Sequence, residues 1–459
     1  MNVKKEKQPY FLIIGLGASG MSMAKFLHSK GKTVIATDID DSKTKIAEEL
    51  NALGIKTQIG FHEPKTFNQA SFLIPSPGIP ETNTFIRTAV NLGVTITSEL
   101  DIFTRYNTLP VIAVTGTNGK TTTTTLINDI LKYCGYTPFV GGNIGTPLVD
   151  HLMNKGKTDV IVAEISSFQL DISNRFRPDV GVLLNISEDH LDRYENFRAY
   201  EASKWSIFNH QTPSDTAVIN ESTKGFDVLS PKLNSKIFTF SSGKDSLTTC
   251  NAKISSESIK IITRELNHTI KTTQLKELNG THNKENIAAA ILACLALGAD
   301  IKQIEKGLET FKNLPHRMEF VKTINGISFY NDSKGTNTDA VIRAINCFEK
   351  KIVLILGGRG KRTDFSLLIN DIQHRVKTII AMGECRTMIN DTFKNICPVL
   401  EVQTMKEAVQ TAFNTAFKDD AGEPAIVLLS PACASFDMYK NYARRGNDFV
   451  THVNALGNK

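Results

Sequence analysis

The chain has 459 residues, of which 41% are hydrophobic and 22% charged, with a formal net charge of +6 at pH 7. That length exceeds what one core organises and predicts two to four domains, while no apolar run reaches the roughly 18 residues of a membrane-spanning helix. Basic residues are dispersed without a basic-aromatic tract, which favours small anions over nucleic acid as partners, and the seven cysteines lack CxxC spacing, which argues for a reducing compartment and against a thiolate zinc site.

The first block covers residues 8–103. The start, MNVKKEKQPY, is basic but is followed by only a short strand-like run without a small-residue cleavage site, so export is not expected and a cytoplasmic location is. A strand at 11–15 ends in GLGASG (15–20). A helix at 21–29, a strand at 33–37 and Asp38 at its end complete a Rossmann fingerprint. A further strand at 71–75 runs into the turn SPGIP. This predicts a small domain of parallel strands holding a nucleotide or its diphosphate at the two turns, with Gly17, Ala18 and Ser76 as contacts. The same fingerprint suits a nicotinamide-dependent oxidoreductase, a reading that leaves the remaining motifs unexplained.

The second block, 108–312, opens on VIAVTGTNGKTTTTT (111–125). The apolar run 111–114 reads as a buried strand. Gly116 and Gly119 permit the backbone angles that turn the N–H groups of the loop, Thr117 and Asn118 included, toward an anion. A helix beginning near Thr121 adds its own N-terminal N–H groups. Lys120 can reach terminal phosphates, and Thr121 or Thr122 can offer a hydroxyl to Mg2+, as in a Walker A loop. Val114 stands where the literal pattern has its first glycine, so the loop is a shorter variant. Strands at 160–163, 180–185 and 217–220 alternate with helices and predict a mostly parallel sheet. The short β-branched runs of 236–275 read as a small antiparallel insertion, and an alanine-rich helix is expected over 283–297.

The third block, 315–459, predicts strands at 326–331, 352–356, 378–382 and 426–430 alternating with helices, and a second glycine turn, GGRGKRTDF, at 357–365. The fold class is therefore α/β in three domains. The first is Rossmann-like, the second a central P-loop ATPase-like domain on a mostly parallel sheet, and the third again Rossmann-like. Their expected boundaries are 1–105, 106–313 and 314–459.

Several polar groups follow the strand ends. Glu164 closes the apolar strand in VIVAEISSFQL, where a Mg2+ ligand belongs, although a solvated strand-end glutamate looks the same in sequence. Ser167 follows as a contact for a metal-bound water or the transferred group. In NISEDHLDRY, His190 reads as a metal ligand, a base or a surface histidine, and its position after a parallel strand near a phosphate site favours the ligand. Lys204, beside Trp205 in a helix, reads as an ordinary snorkelling lysine. Arg317 in LPHRME suits a phosphate clamp at a domain junction, or is a linker charge. YNDSKGTNTD brings Asp332, Lys334 and Thr336 to a strand end. Lys361 is a cation for a carboxylate substrate, with Ser435 and Tyr442 completing that pocket.

Together TGTNGKTT, AEISSFQL, NISEDHLDRY, HNKENIAAA, LPHRME, YNDSKGTNTDA, LILGGRGK and LLSPACASFD, spread along the whole chain, resemble the Mur ligases, the ATP-dependent amino-acid-adding enzymes of bacterial peptidoglycan synthesis. GLGASG, SPGIP and SPACASFD favour the D-glutamate-adding kind. The resemblance implies that ATP activates the terminal carboxylate of UDP-N-acetylmuramoyl-L-alanine as an acyl phosphate, which the amine of D-glutamate attacks. It implies a phosphate cradle of Gly116, Thr117, Asn118, Gly119, Lys120, Thr121 and Thr122, and adenine-side contacts from Asn283 and Asn286. Further ATP contacts would come from Arg317 and Asp332, and Lys334 would lie by the reacting phosphate. Two Mg2+ ions would be held by Thr121 and Glu164 and by His190 and a carbamylated Lys204. Asn143 in GGNIG matches a substrate-binding asparagine, and Thr336, Lys361, Ser435 and Tyr442 match residues around D-glutamate. The family resemblance further implies a cytoplasmic monomer. Asp40 stands where well-known members have an arginine near the uracil or diphosphate, and Tyr442 where phenylalanine is common.

Overall fold

The computed structural model describes residues 9–80, 82–154, 156–190, 193–243, 250–273, 275, 280–349, 351–360, 363–416 and 426–456. Three sheets follow one another along the chain. The first has five parallel strands in the spatial order Lys56–Ile59, Thr33–Asp38, Tyr10–Ile14, Phe72–Pro75 and Thr95–Ile96. Its central strand, YFLII, buries Leu12, Ile13 and Ile14 almost completely, because helices cover both faces. Strand order reverses beside it, and the crevice this opens at the carboxyl ends holds the glycine turn and Ser76. The helix after the turn spans Ala18–Ser29, three residues longer at its start than the apolar pattern suggested.

The central sheet has nine strands, and Val111–Thr115 lies between Val180–Leu183 and Val160–Glu164. The stretch 236–275 is not a separate antiparallel insertion. Lys236–Ser241 pairs in parallel with Thr216–Asn220, and Ala252–Ile254 in parallel with Lys236–Ser241. Only Ser258–Ile262 and Asn267–Lys271 continue the sheet antiparallel. The reason is burial: Phe240, Ala252, Ile259, Ile261 and Ile270 join the same core as the helix Thr281–Ala296, whose alanines allow close approach to the sheet.

The third sheet runs Glu319–Ile324, Ile327–Asn331, Ile426–Leu429, Ile352–Gly357, Val376–Met382 and Val399–Glu401, parallel except for its first pair. That pair is a hairpin closed by Asn325 and Gly326, with φ of 49° and 82°. Two positive φ values in an Asn-Gly pair are what a type I′ turn demands. One hydrophobic cluster spans the first two sheets, joining Ile13 and Ile74 to Leu148, Ile161 and Leu183. No helix of the described residues is long and apolar enough to cross a membrane.

Candidate active site

The strand Val111–Thr115 delivers the chain to Gly116, and Gly119 (φ 87°) starts the helix Lys120–Tyr133. A Cβ on Gly119 would sit 2.3 Å from Asn286 Oδ1, so the backbone angle calls for glycine and any side chain there would displace the Asn286 amide. Thr117 N–H donates to the Asn185 carbonyl at 2.9 Å and Asn118 N–H to Asn185 Oδ1 at 2.9 Å, while Asn185 Nδ2 returns a bond to the Asn118 carbonyl at 3.0 Å. These two loop N–H groups therefore brace the loop instead of facing an anion. The donors left to a phosphate are those of the first helical turn, which have no intrahelical acceptor. Asn185 lay inside the NISEDHLDRY tract, but nothing in its local pattern distinguished it from its polar neighbours.

Lys120 folds back over its own loop, its Nζ donating to the carbonyls of Gly116 at 2.8 Å and Thr117 at 2.9 Å. Thr121 Oγ1 donates to Glu164 Oε2 at 2.7 Å and accepts from Arg317 Nη2. Glu164, 2% exposed, also accepts from Asn143 Nδ2 at 2.8 Å through Oε1. A single hydroxyl thus joins the phosphate loop, the strand-end carboxylate and an arginine from the start of the third domain. Burial lowers the Arg317 pKa, opposed by Glu164, Tyr442 and Asp332. Desolvation pushes Asp332 up to about 7, against hydrogen bonds from Ser430 Oγ at 2.8 Å and Met318 N–H at 3.3 Å.

Lys204 is no snorkelling lysine. It is 2% exposed, lies against the Tyr200 ring and donates to the Gly116 carbonyl at 2.9 Å. Burial first, and Lys120 second, hold its pKa well below the usual lysine range. His190 adopts φ 56°, a left-handed conformation uncommon outside glycine, with its N–H on Asp189 Oδ1 at 2.8 Å and its ring edge-on to Phe168. Asp189 Oδ2 in turn accepts from Asn337 Nδ2 at 3.2 Å, and Asn118 Nδ2 donates to Asp339 at 2.7 Å. Asn337 and Asp339 lie in the YNDSKGTNTD region, yet their bonds to the central domain could not be read from it.

Two cavities meet over the loop. One is lined by Asn118, Gly119, Thr122, Asn283, Asn286, Arg317, Asp332 and Lys334. The other is lined by Thr117, Lys120, Thr121, Asn143, Glu164, Ser167, His190, Lys204 and Thr336, and shares Asn118, Gly119, Arg317 and Lys334 with the first. Tyr442 stands beside this cleft with its ring 4.1 Å from Lys334 Nζ, and it is only partly buried, so its hydroxyl needs no protein partner.

Other expected contacts lie elsewhere. Ser76 Oγ donates to the Gly15 carbonyl at 3.0 Å, and Gly17 caps the first helix beside Ala18, so all three belong to the first domain's turns. Ser435 is buried, and its carbonyl accepts from Met438 and Tyr439 N–H, outside the two cavities. Lys361 lies outside the described residues. Asp38 spends its carboxylate on Leu16 N–H at 2.6 Å and Asp40 N–H at 2.9 Å, tying the glycine turn to the second strand. Asp40 caps the 3-10 turn Asp41–Lys43 through Ser42 N–H. Arg193 Nη1 donates to the Gly78 carbonyl at 2.7 Å, linking the SPGIP turn to the central domain.

Comparison with known proteins agrees along the chain. A Mur ligase MurD-like N-terminal domain matches residues 10–98, a Mur ligase middle domain residues 114–294, and a Mur ligase glutamate ligase domain residues 316–433. A UDP-N-acetylmuramoylalanine–D-glutamate ligase of Desulfosudis oleivorans is 41% identical over 97% of this chain and 96% of its own. Another, from Geotalea daltonii, is 38% identical over 99% of both chains. Among solved structures, a UDP-N-acetylmuramate-alanine ligase of Thermotoga maritima superposes with a TM-score of 0.58 at 21% identity, covering 97% of this chain and 99% of its own. A MurF ligase of the same organism in complex with ADP gives 0.60 at 16% identity over 98% and 99%; these two likenesses carry the fold. With relatives matched over nearly its full length, the chain belongs to the Mur ligase family, in the group of UDP-N-acetylmuramoylalanine–D-glutamate ligases.

Proposed function

We propose that the chain is an ATP-dependent ligase that adds D-glutamate to UDP-N-acetylmuramoyl-L-alanine in peptidoglycan precursor synthesis, releasing ADP and phosphate. The observation that carries this reading is the Thr121 hydroxyl held between Glu164 and Arg317, at the mouth of a cleft built by the second and third domains. In this reading residues 1–105 hold the UDP part, 106–313 hold ATP, and 314–459 close the site and hold D-glutamate. In this reading the protein acts as a monomer, and the location that fits this pathway is the cytoplasm.

The first-turn N–H groups of the helix Lys120–Tyr133, with Lys120, Lys334 and Arg317, offset the charge of the phosphates and of the transferring phosphoryl group. Asn283 and Asn286 line the neighbouring cavity and offer amide donors and acceptors to the edge of an adenine. Asn143 and Ser167 flank the carboxylate to be activated. Phosphoryl transfer onto that carboxylate gives an acyl phosphate; attack by the D-glutamate amine expels phosphate and leaves the amide. Thr336, Lys361, Ser435 and Tyr442 are proposed to orient D-glutamate, with Lys361 on one of its carboxylates.

Mg2+ takes oxygen ligands and keeps waters and phosphates in its shell. Thr121 Oγ1 and Glu164 Oε2 are donors of that kind and fit one ion, which when bound would act as a Lewis acid on the phosphates. His190 and Lys204, which line the same cavity, are proposed to hold a second. As a free amine Lys204 is a poor ligand for so hard an ion. Its burial favours the neutral amine, which adds carbon dioxide to form an anionic carbamate and release a proton, and so supplies an oxygen donor.

Phosphate release tests the reading. With UDP-N-acetylmuramoyl-L-alanine and ATP present, release depends on D-glutamate, and L-glutamate or meso-diaminopimelate do not replace it. Equal rates with either would overturn the assignment.

A further inference from the structure

Glu99 is the first residue of the helix Glu99–Tyr106, where the first domain passes into the second, and it is 6% exposed. Its Oε1 accepts from Leu148 N–H at 2.8 Å, at the start of the helix Leu148–Met153, whose own N-cap, Pro147, has no side chain to offer. Its Oε2 is buried without a hydrogen-bond partner, and Glu99 lines a small crevice at the edge of the first domain. Ser19, Gly20 and Ser76, from the two first-domain turns, line the same crevice, and the Ser19 hydroxyl and the Val149 N–H approach the carboxyl.

An unpartnered carboxylate oxygen in such a place costs on the order of 1–3 kcal/mol unless something answers it. The charged groups nearby do not. Asp150, on the helix that Glu99 caps, repels it, and Asp101 on its own helix is engaged by Ser173 and by the N–H groups of Asn174 and Arg175. The other elements around the crevice present Met23, Pro77, Gln169 and Ile172, none of them charged.

We propose that Glu99 is a positioning residue for the diphosphate end of the substrate, acting in its protonated form: Oε1 holds the central domain while the Oε2 hydrogen is donated across the crevice to the hydroxyls beneath the glycine turn. This rests on the proposal that Gly17, Ala18 and Ser76 hold a UDP diphosphate. Geometry and charge agree, because a second anion below a diphosphate would repel it. Burial pushes the Glu99 carboxyl up to about 7, so the neutral form is populated near neutral pH. The sign follows from linkage. A bound diphosphate raises that pKa further, so affinity is full below about pH 7 and falls by at most tenfold per pH unit above it.

The test is KM for UDP-N-acetylmuramoyl-L-alanine between about pH 6 and about pH 8.5, with KM for ATP as internal reference. The parent is expected to lose affinity for the UDP-linked substrate as pH rises. Glu99→Gln, which keeps an acceptor for Leu148 and a donor for the crevice, is expected to hold the low-pH KM throughout. Glu99→Ala is expected to raise that KM at least about tenfold at every pH, as loss of one buried hydrogen bond would. A Gln variant with the parent's pH dependence, or an Ala variant with the parent's KM, overturns the proposal. A parent that releases no phosphate in response to D-glutamate overturns the ligase reading instead.

Discussion

Lys204 carries more of the proposed chemistry than its local sequence suggests. Its stem lies against Tyr200 and its amine against the Gly116 carbonyl, with Lys120 near enough to help hold it neutral. Snorkelling is the ordinary fate of a lysine beside a tryptophan, and what overrides it is tertiary burial under the phosphate loop. If Lys204 acts as a carbamate, Lys204→Ala loses at least about a hundredfold in kcat, the scale of losing one electrostatic stabiliser. Millimolar acetate or formate then restores part of the rate by supplying the missing carboxylate. Wild-type turnover in the variant, or no response to any small carboxylate, would contradict that role. Arg317 and Asp332 are similar cases, because their worth comes from Thr121 and Ser430, residues far away in sequence.

At the scale of elements, the loop 116–119 is fixed by conformation as much as by charge. Gly119→Ala faces about 1–2 kcal/mol of left-handed strain and a collision with Asn286, so kcat/KM for ATP should fall at least roughly tenfold. Initial-rate kinetics with a parallel melting curve check this, and an unchanged value for ATP would show that the loop does not hold the phosphates. This loop was legible in sequence because its signal is local: an apolar strand, two glycines and a helix start. The first domain's glycine turn was legible for the same reason. The stretch 236–275 differs from its expected antiparallel insertion because short β-branched runs announce strands without saying which edge they join, and Phe240 and Ile259 reveal it only by packing on the helix Thr281–Ala296. The hairpin Glu319–Asn331 carried a signal, Asn325-Gly326, but the expected strand at 326–331 takes Gly326 as its first residue and leaves out the partner strand Glu319–Ile324. The bracing of Thr117 and Asn118 by Asn185 had no signal, since any polar residue after the strand Val180–Leu183 would look alike.

Over the whole molecule, three sheets direct the carboxyl ends of their strands toward neighbouring clefts. The first two share a core and the Arg193–Gly78 contact, and the third reaches the second through Arg317, Asn337 and Asp339. Such an arrangement suits a reaction in which one group must pass from a nucleotide to an acceptor held on a different domain. The central claim is that this group is a phosphoryl and the acceptor a carboxylate. The direct measurement uses UDP-N-acetylmuramoyl-L-alanine with both oxygens of its alanyl carboxylate replaced by oxygen-18, turned over with ATP and D-glutamate, and mass analysis of the released phosphate. Passage through an acyl phosphate predicts one heavy oxygen in each phosphate and one retained in the new amide. Phosphate free of heavy oxygen, or label appearing in AMP, would contradict it.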